Sequence, residues 1–383
     1  MEHSIPKKAW LSVIISIFFL PATHCSKYIQ TIKAHEEQIS CLSWCKKKNS
    51  STFASGSFDT TIKIWNFQNN MQRIAHIKTI QDHKCPIRDI DWHPQLPIFI
   101  SASDDKTFRL WLLENQNKNK AIRFFCSPKQ QSGIRCASWH PTKPLFVTTA
   151  HDGNIHFWEF DTQTTKAILL EKIKPHTTWI SSLKWHPRYS ILASTALDGT
   201  IWTHEYSNAG LFSQKIYQGS TLELITAVAW NPQSPLFIAS TGTKEFIKKK
   251  DTNFMSVKNI GITLFSNHKQ LKKQSFIKTH LYWINAIAWH PILPLIACAS
   301  GDEAIGIWFY DSTNKNLTPL TILNGHNDEV TSICWHPTKP LLVSGDNKGF
   351  LKLWHIAALD ITIKTKAGND LKSLCNELRQ LKI

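Results

Sequence analysis

Short runs of alternating apolar and small residues, each ending on a tryptophan, recur along most of this chain. The apolar position two before the tryptophan is Leu42, Ile90, Ala137, Leu183, Val228, Ile287 or Ile333, and the alternate positions are mostly small. Alternation with period two marks a strand whose faces differ. In six of the seven copies a proline follows two residues after the tryptophan, where it stops the strand at a turn. A second apolar run comes next, such as Ile98–Ile100. After it stands a tight-turn signal of Asp beside Gly, Lys or Thr, as in Asp152-Gly153 and Asp198-Gly199, and a third run leads to another large ring.

The stretch from His83 to Trp111 gives the spacing in full. A Trp lies nine residues after the His, an Asp thirteen residues after that Trp, and a second Trp six residues after the Asp. Sliding this template along the chain finds first tryptophans at Trp44, Trp92, Trp139, Trp185, Trp230, Trp289 and Trp335. Closing positions fall at Trp65, Trp111, Trp158, His204, Phe265, Trp308 and Trp354. Successive closing positions are 46, 47, 46, 61, 43 and 46 residues apart, a period of four short strands rather than of helical repeats. The expectation is an all-β fold: a seven-bladed β-propeller of four-stranded blades, with a short C-terminal helix.

These residues resemble the WD-repeat β-propeller family, over roughly Tyr28 to Trp354. The resemblance implies that a His, a Ser or Thr, the turn Asp and the closing Trp form a hydrogen-bonded chain inside each blade. His35, Ser55, Asp59 and Trp65 match every position, as do His83, Ser101, Asp105 and Trp111. The physical need is plain, because a buried carboxylate and a buried indole N–H each cost free energy unless partnered. Other copies depart. Gln130 replaces His in blade three, His204 replaces Trp in blade four, Cys298 replaces Ser in blade six and Lys348 replaces Asp in blade seven. Blade five has Thr221 and Thr243 for His and Asp, Phe265 for Trp, and about fifteen extra residues (244–258) before its third strand, so it should be the least regular.

At the N-terminus, residues 1–25 carry Lys7 and Lys8, an apolar run from Ala9 to Leu20, then Pro21 and small residues. This is the pattern of a secretory signal peptide, too short to span a bilayer comfortably, with cleavage after Ala22 or Cys25. It predicts export, to a periplasm or the exterior, against a cytoplasmic alternative, and no membrane span after removal. Residues 26–357 make the propeller and 358–383 a tail. By the resemblance, the strand at 28–33 completes the last blade, although 361–366 compete for that place. Leu371, Leu374, Leu378 and Leu381 stand at helical spacing in the tail.

Composition changes the picture little. The net charge is +16 with a pI near 9.4, but the lysines are scattered, so nucleic acid is disfavoured as a partner. Two basic clusters, Lys248-Lys249-Lys250 and Lys269, Lys272 and Lys273, are assigned to loops of blade five. Nine cysteines show no disulfide framework, and Cys41, Cys136 and Cys334 read as packing residues of innermost strands. Ser55, His35 and Asp59 are no catalytic triad, because the set recurs at Ser101, His83 and Asp105 with a Trp closing each network. His93, His140, His186, His290 and His336 lie in separate blades and read as turn residues, not a metal site. The chain has no phosphate-binding glycine loop, CxxC pair or HExxH, so neither a cofactor nor a metal is expected.

The function expected is therefore a non-catalytic, monomeric scaffold for a protein or peptide, an acidic partner being one option. The alternatives are an enzyme using the central funnel, or a binder of nucleic acid or an anionic surface through basic loops. Counting the sixteen tryptophans leaves Trp179 and Trp283 without a structural slot; each lies three residues after a blade His. The resemblance implies partner contacts on that rim, the face of the His-bearing loops. Equivalent offsets select Phe58, Arg88, Asp104, Arg135, His151, Leu197 and Asn285 as further binding residues.

Overall fold

A computed structural model of the chain describes residues 27–47, 50–68, 73–113, 121–207, 209–220, 223–249, 252–266 and 272–356. The propeller is Tyr28–Trp354. The expected leader, the tail helix and the strand at 361–366 lie outside the described residues.

Seven four-stranded antiparallel sheets make up the described chain. Blade one runs outward through Ile39–Trp44, Thr52–Ser57, Ile62–Gln68 and Arg73–Ile80. The innermost strands of the other blades are Ile87–Trp92, Ile134–Trp139, Ile180–Trp185, Glu223–Trp230, Ile284–Trp289 and Val330–Trp335. Blade seven takes its outermost strand, Lys27–Lys33, from the other end of the chain, hydrogen-bonded to Phe350–His355. That strand leads directly into His35 of blade one, and Ala34 and His35 both donate backbone N–H bonds to Gly349 O at 2.9 and 3.1 Å. Gly349 is required at this seam: its φ is +80°, and a Cβ there would stand 2.1 Å from His35 O.

The core lies between blades, as the alternation demands. Trp92 and Trp139 are fully buried. The first tryptophans also tie neighbouring blades: Trp92, Trp230, Trp289 and Trp335 donate Nε1–H to Ser43, Lys184, Ala229 and Ala288 carbonyls of the preceding blade at 2.8–3.1 Å. The turn histidines complete this seam. Nδ1 of His93, His140, His186, His290 and His336 each accepts two backbone N–H groups of the following turn. Each ring packs edge-on against the next blade's tryptophan, at centroid distances of 4.6–5.2 Å. A ring that accepts at Nδ1 while buried is neutral, and burial lowers the pKa of His93, His140, His290 and His336 to about 4.

The intrablade networks form with one polarity. In blade one Trp65 Nε1–H donates to Ser55 Oγ (2.8 Å), the serine hydroxyl to His35 Nε2 (2.7 Å), and His35 Nδ1–H to Asp59 (2.9 Å). Blade two repeats it through Trp111, Ser101, His83 and Asp105. Burial keeps His35 and His83 neutral, and hydrogen bonds from His and Thr outweigh burial to hold both carboxylates well below their ordinary range.

Two expectations about the departures need correction. Blade seven is complete, because Asp346, two residues before Lys348, accepts from His326 Nδ1 at 2.8 Å while Ser344 joins His326 to Trp354. Asp346 occupies the slot that Ser57 and Ser103 hold in blades one and two, and the carboxylate is long enough to do the work from there. The blade-five lysines are not all on loops: Lys248 and Lys249 belong to strand Leu236–Lys249, and Lys272 and Lys273 to strand Lys272–Lys278. The extra residues prolong the second and third strands into a long hairpin with an additional register shift at Thr241/Thr243. Blade five still has four strands, and Phe265 stacks on Phe237 at 5.2 Å in the closing slot.

Blade four substitutes successfully, since Ser194 bridges His176 and His204 at 2.8 and 3.0 Å. Blade six does not. His280 keeps Asp302 (2.9 Å), but Cys298 supplies no bridge, and His280 Nε2 and Trp308 Nε1 lack partners.

Candidate functional site

All seven innermost strands have an irregularity near their start. The ladder to the second strand shifts after Ile39, Ile87, Ile134, Ile180, Ile225, Ile284 and Val330. The residues left out of register are Ser40, Arg88, Arg135, Ser181, Thr226 (with Ala227), Asn285 and Thr331. A bulge re-aims a side chain, and here each one is turned toward the rim of the central channel. Just beyond the bulge a backbone bond resumes, from Phe58, Asp104, His151 and Leu197 N–H to Gln38, Pro86, Gly133 and Trp179 carbonyls at 2.9–3.3 Å. That bond draws the position before the turn Asp and the position before the inner strand together at the channel mouth.

Five bulged side chains join blades. Ser40, Ser181, Thr226 and Thr331 donate hydroxyl bonds to Ile87, Ile225, Ile284 and Ile39 carbonyls of the next blade at 2.5–2.6 Å, and Asn285 Nδ2 donates to Val330 O at 3.0 Å. At the two remaining junctions stand Arg88 and Arg135, and neither makes such a bond. They belong instead to an arc of contacts from blade one to blade four. Arg88 lies over the Phe58 ring (4.5 Å) and pairs with Asp104 (2.5 Å). Asp104 also takes His151 at 3.2 Å, His151 meets Trp179 edge-on at 5.3 Å, and Arg135 lies over the Trp179 ring at 5.5 Å. Hydrogen bonds from Arg88 and His151 outweigh burial and hold the Asp104 carboxyl below its ordinary range. Trp179 remains 48% exposed.

The arc edges a funnel of about 370 Å³ lined in part by Phe58, Arg88, Arg135, Trp179, Leu197 and Asn285. Trp283 is half-buried and does not line it, and Asn285 is one of the residues that join blades. Deeper in the funnel lie charges that the sequence reading passed over. Lys184 Nζ stands 3.9 Å from Asp89 across blade three, its side chain 45% exposed to the channel. Asp89 accepts Ala137 N–H at 3.1 Å, and burial raises its pKa against the pull of Lys184. The nearby Cys136 thiol is pushed up to about 11 by burial and the Asp89 charge, so it stays protonated. The available signal was the charge itself, since Asp89 and Lys184 occupy strand slots where most copies have small residues. Arg135 is the one cation lining the funnel that pairs with no carboxylate among the described residues. Among those residues no group of three His, Cys, Asp or Glu side chains could hold a metal ion, and no helix is long and apolar enough to cross a membrane.

Comparison with known proteins agrees with this geometry. The family model "WD domain, G-beta repeat" matches residues 26–66, 75–111, 120–159, 168–203, 271–308 and 317–355, more than half of the chain, and passes over blade five. The chain is 28% identical over 112 residues to a probable coatomer subunit beta' of Schizosaccharomyces pombe, covering 26% of this chain and 13% of that protein. It is 32% identical over 102 residues to the nuclear distribution protein nudF of Aspergillus terreus (27% and 20% covered). With cleavage stimulation factor subunit 50 of Arabidopsis thaliana it shares 27% over 103 residues (25% and 24%). The matched stretches span less than a quarter of each relative's own length. With six family repeats and seven four-stranded blades, the chain belongs to the WD-repeat β-propeller family.

Proposed function

We propose that this propeller is a non-catalytic scaffold that binds a protein or peptide at the mouth of its funnel, through Phe58, Arg88, Asp104, Arg135, His151, Trp179 and Leu197. The observation that carries the reading is the break in the ring of hydrogen bonds between blades: the two bulged slots that make no such bond hold arginines, and those arginines meet an exposed tryptophan and a phenylalanine of the neighbouring blades. Blade packing does not demand this grouping, and Trp and Arg are the residue types that dominate binding energy at interfaces. Relatives named as coatomer and cleavage-factor subunits support a role in protein assemblies.

An enzyme using the funnel is the second reading, favoured by the Asp104–His151 pair at the mouth. Against it, both Asp104 oxygens are held, one by Arg88 and one by His151, which suits a positioning clamp better than a proton carrier.

The test is capture of partners by the tagged full chain from its host, repeated with Trp179→Ala, Arg135→Ala and, as a control on the outer strand of blade three, Lys166→Ala. A partner retained by the control and weakened by about 2 kcal/mol in the two rim variants supports the site; equal retention by all removes it. Export and a monomeric state belong to the same proposal. A mature N-terminus after Ala22 or Cys25 supports export, and an intact Met1 in the soluble cytosol removes it.

A further inference from the structure

The funnel does not end at Phe58. A second hollow of about 490 Å³ is walled by Lys33, Glu36, Glu37, Asn347, Lys348 and Phe350, and it shares both Gln38 and Phe58 with the funnel. It lies over the seam where the closing strand of blade seven enters blade one. The two hollows adjoin at Gln38 and Phe58, and their joint path from Trp179 and Arg135 to the seam is taken as one groove.

The ends of this groove differ in charge. In the funnel Asp104 neutralises Arg88 and Asp89 faces Lys184, which leaves the Arg135 charge over. At the seam Lys348 is taken by Asp328 at 3.1 Å, and Lys33 is bound to the Lys348 and Glu36 carbonyls and lies 5.4 Å from the Phe350 ring. Glu36 and Glu37 are exposed, and no cation among the described residues pairs with either, so the seam carries one negative charge in excess.

We propose that the groove holds an extended peptide segment with a fixed order of charge. An acidic side chain meets Arg135, apolar side chains cover Trp179 and Phe58, and a Lys or Arg meets Glu36 and Glu37. The inference rests on the funnel-mouth reading above and adds a second subsite with the opposite preference. Because the seam subsite includes residues of both blade one and blade seven, such a ligand also holds the ring closed, and binding raises the stability of the whole propeller by linkage.

The test is a selection of short random peptides displayed on phage against the full chain, followed by fluorescence anisotropy with synthetic copies of the enriched sequences. The expected peptides carry an acidic and a basic residue separated by apolar ones. Reversing the seam with Glu36→Lys and Glu37→Lys should weaken them by about tenfold or more, and changing the peptide's basic residue to Glu should weaken binding to the unaltered protein by a similar factor. The second measurement does not depend on how well the variant folds. Peptides that depend on Arg135 and Trp179 but ignore both seam changes overturn the second subsite and leave the funnel reading standing. Peptides indifferent to Arg135→Ala and Trp179→Ala as well overturn both.

Discussion

Blades two and seven bulge at the same point of the same strand and put the bulge to different use. In blade seven the re-aimed residue is Thr331, whose hydroxyl donates to Ile39 O of blade one at 2.6 Å and so helps shut the ring. In blade two it is Arg88, which gives up that bond, stacks on Phe58 and pairs with Asp104. The backbone device is common to all seven blades, and the side chain in the slot decides between closure and recognition. Five slots donate a hydrogen bond to the next blade's backbone, and the two that do not are neighbours, so in one sector of the rim the blades meet instead through arginine, histidine and aromatic rings.

What the two sectors share should fail together, and this is the largest effect expected. His93 and His140 on the recognition side and His290 and His336 on the other are all held neutral, with pKa values lowered to about 4 from 6.5. The unfolded chain binds these protons below pH 6.5 and the folded chain does not, so stability falls as the pH drops from 6.5 toward 4. Each histidine contributes up to about 3 kcal/mol of loss over that window. The carboxylates of Asp59, Asp105 and Asp198, depressed in the folded state, add their loss only below their ordinary value of 3.8. Denaturant melts across this range should show the main fall above pH 4; a flat profile there would mean that the turn histidines are not held neutral.

A second shared feature is the intrablade network, complete in blades two and seven despite the displaced aspartate. Asp346→Ala should cost about 1–3 kcal/mol, because it leaves the buried His326 Nδ1–H without its acceptor, whereas Lys348→Ala should cost little. Equal effects would return the role to position 348. Next in size comes the closure side of the comparison. Thr331→Val keeps shape and removes the bond to Ile39 O, so thermal denaturation should show a loss of about 1 kcal/mol with partner binding unchanged.

Much of this was legible before the structure because it repeats. The seven tryptophan-terminated strands and the period follow from spacing, while the two full networks and the rim that carries Phe58, Arg88, Asp104, Arg135, His151 and Trp179 came from the family resemblance laid over that spacing. Trp283 was selected by the same offset as Trp179, yet it does not line the funnel, since an offset fixes a place on the backbone and not the neighbours around it. The bulge did leave a mark in the sequence: Ile39, Leu42 and Trp44 share one core although they stand three and then two apart, so the alternation slips at the bulge, as it does between Ile87, Ile90 and Trp92. Asp346 was missed because the template asked for an aspartate at one position, while a carboxylate two residues earlier reaches the same histidine. The seam hollow joins residues more than 300 positions apart, Lys33 with Lys348, and no local pattern reports such a meeting.

The most direct measurement is Arg135→Ser, followed by chemical denaturation and partner titration of the same preparation. Serine in this bulged slot does in blade four what Ser181 does, donating to the next blade's carbonyl. The account predicts that stability rises by about 0.5–1 kcal/mol while partner affinity falls by about 2 kcal/mol. A protein that binds as before, or that loses stability along with binding, would contradict the claim that this slot was given up from closure for recognition.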